Sequence, residues 1–199
     1  FFNKIKYFNK IEFIKNNRVF FGLAAVVILT LSYFLIPTMY NKNTIKVEIE
    51  NQILKKYNIN IIFNEKIRYA LLPRPHFQTK NLSIIRNKTE IGVVSNFKAF
   101  IGIDDFFSFS EIDIKDLVFK KTDFTITKDD LIFFEELLKT EPNDNKIIIK
   151  KSNIFFRDKN DELLFLNKIN NGKFYYDAFN LQNIFTSKNE IFNIPYKLI

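Results

Sequence analysis

A chain of 199 residues that is 47% hydrophobic and 17% aromatic has material for one packed body and a short appendage, which excludes a disordered tail. With no cysteine and a single histidine, His76, it excludes disulfides, thiol catalysis, iron–sulfur clusters and cysteine or multi-histidine metal sites. Its net charge of +8 comes with a bias towards Lys, Asn, Ile and Phe that A/T-rich codons also produce, so the charge alone does not argue for nucleic acid.

Residues 1–18 read as a basic leader, with Lys4, Lys6, Lys10, Lys15 and Arg18 against Glu12 alone. Phe1, Ile5, Phe8, Ile11, Phe13 and Ile14 recur among them at helical spacing, consistent with a segment on the inner leaflet or with a solvated flank. Residues 19–40 carry no charge and are nearly all apolar, with Phe20, Leu23, Val27, Leu31 and Phe34 as anchor residues. Roughly 20 such residues at 1.5 Å each cross a ~30 Å hydrocarbon layer, which predicts a transmembrane helix. Pro37-Thr38-Met39-Tyr40 follows in place of a small-x-small cleavage site, so the segment reads as an uncleaved anchor. The positive-inside rule then leaves the leader in the cytoplasm and residues 41–199 on the far side, the periplasm of a Gram-negative cell.

In the body, Ile45, Ile49, Ile53 and Tyr57 predict an amphipathic helix over 44–57. Alternating apolar and β-branched runs predict strands at 59–63, 66–72, 81–86, 90–102, 111–119 and 123–127, with a short turn or helix at 104–108. Thr127 or Asp129 is placed to cap a second helix over 130–139, stopped by Pro142. Strands resume at 146–151 and 152–157, turn at 158–161 and return over 162–169, after which Gly172 marks a bulge or turn before a strand at 173–177. Residues 194–199 also read as strand, and with Phe1 in place of Met the chain looks like part of something longer. The fold class is α+β: a curved antiparallel sheet packed on one or two amphipathic helices.

Motifs for chemistry are sparse. There is no phosphate-cradling glycine loop, nucleophile elbow or zinc motif, and the expectation is a non-enzyme without metal or cofactor. His76, within Pro73-Arg74-Pro75-His76-Phe77, reads as a surface or turn residue. Asp158 to Glu162 opens like a calcium loop but lacks the sixth-position glycine and the twelfth-position glutamate, so a hairpin turn is expected. Asp104-Asp105 reads as a helix start. Lys120-Lys121 and Lys150-Lys151 are expected to alternate with acids and form no basic stripe, which argues against nucleic acid.

The element order, with Ile67-Arg68-Tyr69-Ala70-Leu71-Leu72-Pro73-Arg74-Pro75, Asn81-Leu82-Ser83-Ile84, Val93 to Gly102, Glu111 to Phe119 and Leu166 to Asn170, resembles the N-terminal portion of AsmA-family proteins. It departs where the family often ends its first helix with glycine and this chain has Asn58. The resemblance implies an inner-membrane protein whose β-groove shields phospholipid acyl chains during transport or outer-membrane assembly, with no catalytic residues. Under that reading Ile59, Ile61, Phe63, Ile112, Ile114, Phe124, Ile126, Ile147 and Ile149 are candidates to line the groove. The rival expectation is a membrane-anchored assembly factor that binds an envelope protein through its sheet.

Overall fold

The computed structural model describes residues 17–86, 88–104, 112–141 and 144–198. The chain divides into two compact units between Met39 and Tyr40. In the first, α1 (Arg18–Leu35) is followed by a 3-10 turn at Ile36–Met39. Together they form one helical stretch, Arg18–Met39, long and apolar enough to cross a membrane, and none of α1's side chains is buried. The α-helix proper stops short of the 19–40 span read from sequence. Pro37 brings no N–H to the ladder, and the Thr38 hydroxyl donates to the Leu35 carbonyl at 2.7 Å.

The second unit opens with α2 (Lys42–Tyr57), capped by Asn41, whose Oδ1 accepts from the Asn43 and Thr44 N–H groups at 2.9 and 3.4 Å. Its buried stripe is the one that the spacing predicts, Ile45, Ile49, Ile53 and Tyr57. Asn58 ends the helix at φ 53° and donates its N–H to the Leu54 carbonyl, so asparagine fills the left-handed position usually given to glycine.

Ten strands follow: β1 (Asn60–Phe63), β2 (Arg68–Ala70), β3 (His76–Thr79), β4 (Leu82–Arg86), β5 (Thr89–Ile101), β6 (Ile114–Ile126), β7 (Lys146–Arg157), β8 (Leu163–Asp177), β9 (Gln182–Ile191) and β10 (Ile194–Leu198). They form one curved sheet in the order β1-β4-β5-β6-β7-β8-β9-β10, and β3 shares β5 with β4 end to end, carrying β2 on its other side. The sheet departs from the antiparallel expectation at one place. β6 and β7 are parallel, because the crossover between them holds a 3-10 turn (Lys128–Asp130) and α3 (Leu131–Leu138) that return the chain to its starting end. The sequence offers no strand for β9. The turn expected at 104–108 lies, from 105 on, outside the described residues.

Three strands expected as pairs of short ones, β6, β7 and β8, are continuous. Lys121 in β6 and Lys151 in β7 both adopt left-handed backbone (φ 54° and 50°), and the parallel register sets them opposite one another. The β8–β9 ladder slips at the same level, between Ile169 and Asn171. Each irregularity reverses which alternate residues face the core. Leu117 and Phe119 point to one face before Lys121, and Thr122 and Ile126 return to it afterwards. Gly172, expected as a break, sits within the ladder opposite Ile149 and Ser187. A Cβ there would come into van der Waals contact with Ile169 and the Phe185 ring, each 3.4 Å away.

Both body helices pack on the same face of the sheet. Tyr57 of α2 meets Phe174 edge-on at 6.4 Å, and Phe97 joins Phe63 and Phe119 at 5.8 and 5.2 Å. Gln52 bonds both the Ile112 carbonyl and the Ile114 N–H, and Lys56 donates to the Ile114 carbonyl at 3.3 Å. On the other face, register aligns Lys120 with Lys150, then Asn171, Lys188 and Lys197. That is a short exposed basic row and not the alternation with acids read from the sequence, which runs along the chain where the row runs across it.

His76 is buried, 1% exposed, and begins a strand where a surface turn was expected. Its pairing opposite Phe100 encloses it, and its Nδ1–H donates to the Arg74 carbonyl at 2.7 Å. Burial pushes its pKa below the ordinary 6.5, against the Arg74 bond, and Lys98 pushes it the same way. The unfolded chain therefore takes the proton more readily. The histidine's contribution is complete above pH 6.5 and lost as the pH falls through the lowered value. Chemical denaturation between about pH 7 and pH 5 should show stability falling on acidification, with a flatter limb in His76→Phe.

Candidate functional site

Between the helix-bearing face of the sheet and α3 lies an apolar cavity of about 300 Å³, at the lower end of volumes that hold small organic ligands. Among the described residues seventeen line it, all Ile, Leu or Phe. The strands contribute two tiers: Ile147 and Phe174 with Phe185, then Phe119 with Ile149 and Leu198, on one side of the bulges, and Phe124 with Ile154 on the other. α3 supplies Leu131, Phe134, Leu137 and Leu138 as a roof, and Ile59 joins from just beyond α2.

Between the tiers runs a mostly polar row, Thr122, Ser152, Ile169 and Asn189, set side by side by register. The Thr122 N–H donates to Ser152 Oγ at 3.1 Å, and Asn189 Nδ2 to Ser187 Oγ at 2.7 Å. Of this row only Ile169 reaches the cavity wall; the polar members are buried in the floor. The site thus offers an occupant dispersion and exclusion of water, with no hydrogen-bonding side chain on its surface among the described residues.

Of the nine residues that the sequence offered for a groove, Ile59, Phe124, Ile126, Ile147 and Ile149 line this cavity. Ile61, Phe63, Ile112 and Ile114 do not. They are buried core, Ile112 and Ile114 bracketed by Gln52 of α2 and Phe63 edge-on to Phe97. The sequence missed Ile84, Ile91, Phe119, Ile154, Ile169, Phe174, Phe185, Leu198 and the α3 residues. The apolar spacing of α3 was legible, but its strand partners required the register. In α1, Phe20, Leu23, Val27 and Leu31 are exposed and Phe34 is half-buried.

The roof is fastened at both ends by polar contacts. Asp130 closes a capping box with Thr127 and accepts from Arg86 of β4 at 3.1 Å. Asn183 of β9 donates through Nδ2 to the Leu138 and Thr140 carbonyls at 3.1 and 2.8 Å. An eight-residue helix has little stability of its own. Asn183→Ala is therefore expected to raise amide hydrogen exchange selectively across residues 128–140, leaving β6 and β7 protected, as mass spectrometry of peptides would show.

Among the described residues no group of three or more His, Asp or Glu side chains is placed to hold a metal ion. Comparison of the chain with protein-family models and with curated proteins gives no match.

Proposed function

We propose that this chain is a membrane-anchored, AsmA-like protein whose sheet shields lipid acyl chains from water in envelope biogenesis, without catalysis. The observation that supports this is the cavity wall, built wholly of aliphatic and phenyl groups beneath a detachable-sized helix. Each acyl methylene moved from water into such a wall gains about 0.8 kcal/mol, so about five buried methylenes correspond to millimolar retention and about ten to micromolar. In this reading α1 holds the protein in the inner membrane, the basic leader remains cytoplasmic and the body works in the periplasm. Phospholipid is the partner.

The test uses the full chain in detergent with a phosphatidylcholine that carries a diazirine in its acyl chain. Irradiation and peptide mapping should place adducts in α3 and in β6 to β8. Adducts confined to residues 18–39 would leave a membrane helix without a lipid-shielding body. A second reading, an assembly factor that captures a protein strand, is favoured by β10, which among the described residues pairs with β9 alone and has all five residues exposed. It predicts loss of partner capture, with unchanged adducts, when Lys197→Pro blocks that edge.

A further inference from the structure

The face of the sheet turned away from the helices holds a strip of cations. Register sets Asn96, Lys120, Lys150, Asn171, Lys188 and Lys197 side by side across β5 to β10. Two residues away along the strands, a second row runs from Arg68 of β2 and Gln78 of β3 through Lys98 and Val118 to Ile148, Lys173 and Thr186. Residues paired in this way share a face, so each strand from β5 to β10 contributes one lysine to the strip. At about 4.8 Å between strands and about 7 Å between alternate residues, the strip is roughly 24 Å long over those strands and only two side chains wide. The bulges add to it. A regular strand would point Lys120 and Lys121, or Lys150 and Lys151, to opposite faces, but left-handed backbone at Lys121 and Lys151 leaves all four exposed.

Acids border the strip without entering it. Among the described residues neither row contains one, and those in the flanking rows are already engaged. Asp116 pairs with Arg74 at 2.6 Å on one side, while on the other Asp123 accepts from Asn153 Nδ2 at 2.8 Å and Glu190 pairs with Lys168 at 2.9 Å. Among the described residues none of the strip's lysines, nor Arg68, pairs with a carboxylate. The rows hold no aromatic side chain, and the Tyr175 ring that meets Lys173 at 4.4 Å stands outside them.

A strip of this shape disfavours broad partners. An anionic bilayer or a nucleic-acid duplex laid on this face would also cover Asp116, Asp123 and Glu190, and single-stranded nucleic acid would find no ring on which to stack its bases. Successive side chains of an extended acidic peptide point to opposite sides, so its carboxylates would meet the strip only about every 7 Å. An acidic glycan repeats one charge per ring, and a ring with its linkage is close to the strand spacing in length. Lysines suit it, as compact point charges that attract anions without imposing the fork geometry of arginine. We infer that the strip is a docking track for one chain of a linear acidic polysaccharide, with a carboxylate on each sugar, lying across the strands. The inference rests on neither the cavity, which is on the opposite face, nor α1.

The test measures, by fluorescence anisotropy, the binding of labelled oligogalacturonate, oligoglutamate and oligothymidylate of equal charge to the full chain in neutral detergent. Oligogalacturonate is expected to bind tightest. The triple variant Lys120→Gln, Lys150→Gln, Lys188→Gln should weaken it at least about tenfold and lower the slope of log affinity against log salt by about 2, at roughly 0.7 per charge lost. The triple variant Lys42→Gln, Lys55→Gln, Lys80→Gln removes the same charge from exposed lysines outside the strip and should change affinity less than about twofold. The basic leader is common to both, so its contribution cancels. Equal losses in the two triples would reduce the effect to net charge and overturn the track. Tighter binding of oligoglutamate or oligothymidylate would overturn it in favour of an acidic protein or a nucleic acid, and so would no binding at all. Acetylation footprinting of the unmodified chain checks the site without a variant: oligogalacturonate should protect Lys98, Lys120, Lys150, Lys173, Lys188 and Lys197 and leave Lys42, Lys55 and Lys80 reactive. Protection that fails to distinguish the two sets would overturn the inference.

Discussion

Phe97→Ala is expected to destabilise the body by about 3–5 kcal/mol, a large share of the about 5–15 kcal/mol that holds a typical domain together. Phe97 is 0% exposed and sits in the middle of β5. Its ring lies edge-on to Phe63 at 5.8 Å and tilted to Phe119 at 5.2 Å, so truncation removes a contact that links β1, β5 and β6. The rigid sheet on either side prevents collapse into the space, which puts the cost towards the upper part of that range. Because the chain has no tryptophan, far-UV circular dichroism during urea unfolding is the suitable readout. Phe179→Ala, at an exposed turn, should stay within about 0.5 kcal/mol of the parent. Equal midpoints for Phe97→Ala and the parent would mean that the three-ring core is not what ties the strands together.

Ile149→Asp is expected to reduce acyl-chain retention at least about tenfold above neutral pH, with the fold intact. Ile149 lines the cavity and is only half-buried, so water can follow the new carboxylate inward. Losing the equivalent of two methylenes of apolar contact costs about 1.6 kcal/mol at about 0.8 kcal/mol each, slightly more than tenfold. A carboxylate facing hydrocarbon has its pKa raised, since burial disfavours the charged form. Retention should therefore recover in part as the pH falls through that raised value, while Ile149→Asn remains low at every pH. Diazirine adduct yield across pH 5 to about 8 measures both limbs. Unchanged yield in Ile149→Asp would show that lipid does not occupy this cavity.

Helix α2 was legible because its buried stripe repeats every four residues with an asparagine at each end. The paired apolar runs likewise disclosed a sheet. The boundaries of β6 and β7 were misread for a single physical cause. Alternation changes phase at Lys121 and Lys151, and a change of phase in sequence is indistinguishable from two strands with a break. Lysine has no special tendency towards left-handed backbone, so nothing at either position announces a bulge. The same ambiguity blurred the site. Ile112 and Ile114 have the alternation of wall residues, but α2 lies over them, and which part of a sheet face a helix covers is a matter of three-dimensional packing. His76 was misplaced because its two neighbouring prolines suggest a turn, whereas the ladder to Phe100 that encloses it involves a partner 24 positions away.

The chemistry of the cavity wall has a consequence for how the sequence can drift. Dispersion and the exclusion of water depend on how many apolar atoms are present and how well they fill space, not on which residue carries them. An Ile149→Leu change compensated by Leu138→Ile keeps both quantities nearly constant, whereas a hydrogen-bonded site admits no such exchange. The wall positions can therefore turn over in coupled pairs. Selection would act most sharply at the few polar residues that fix geometry around them: Asp130, Arg86 and Asn183 at the ends of the roof, and Asp177 beneath the turn at one end of the sheet.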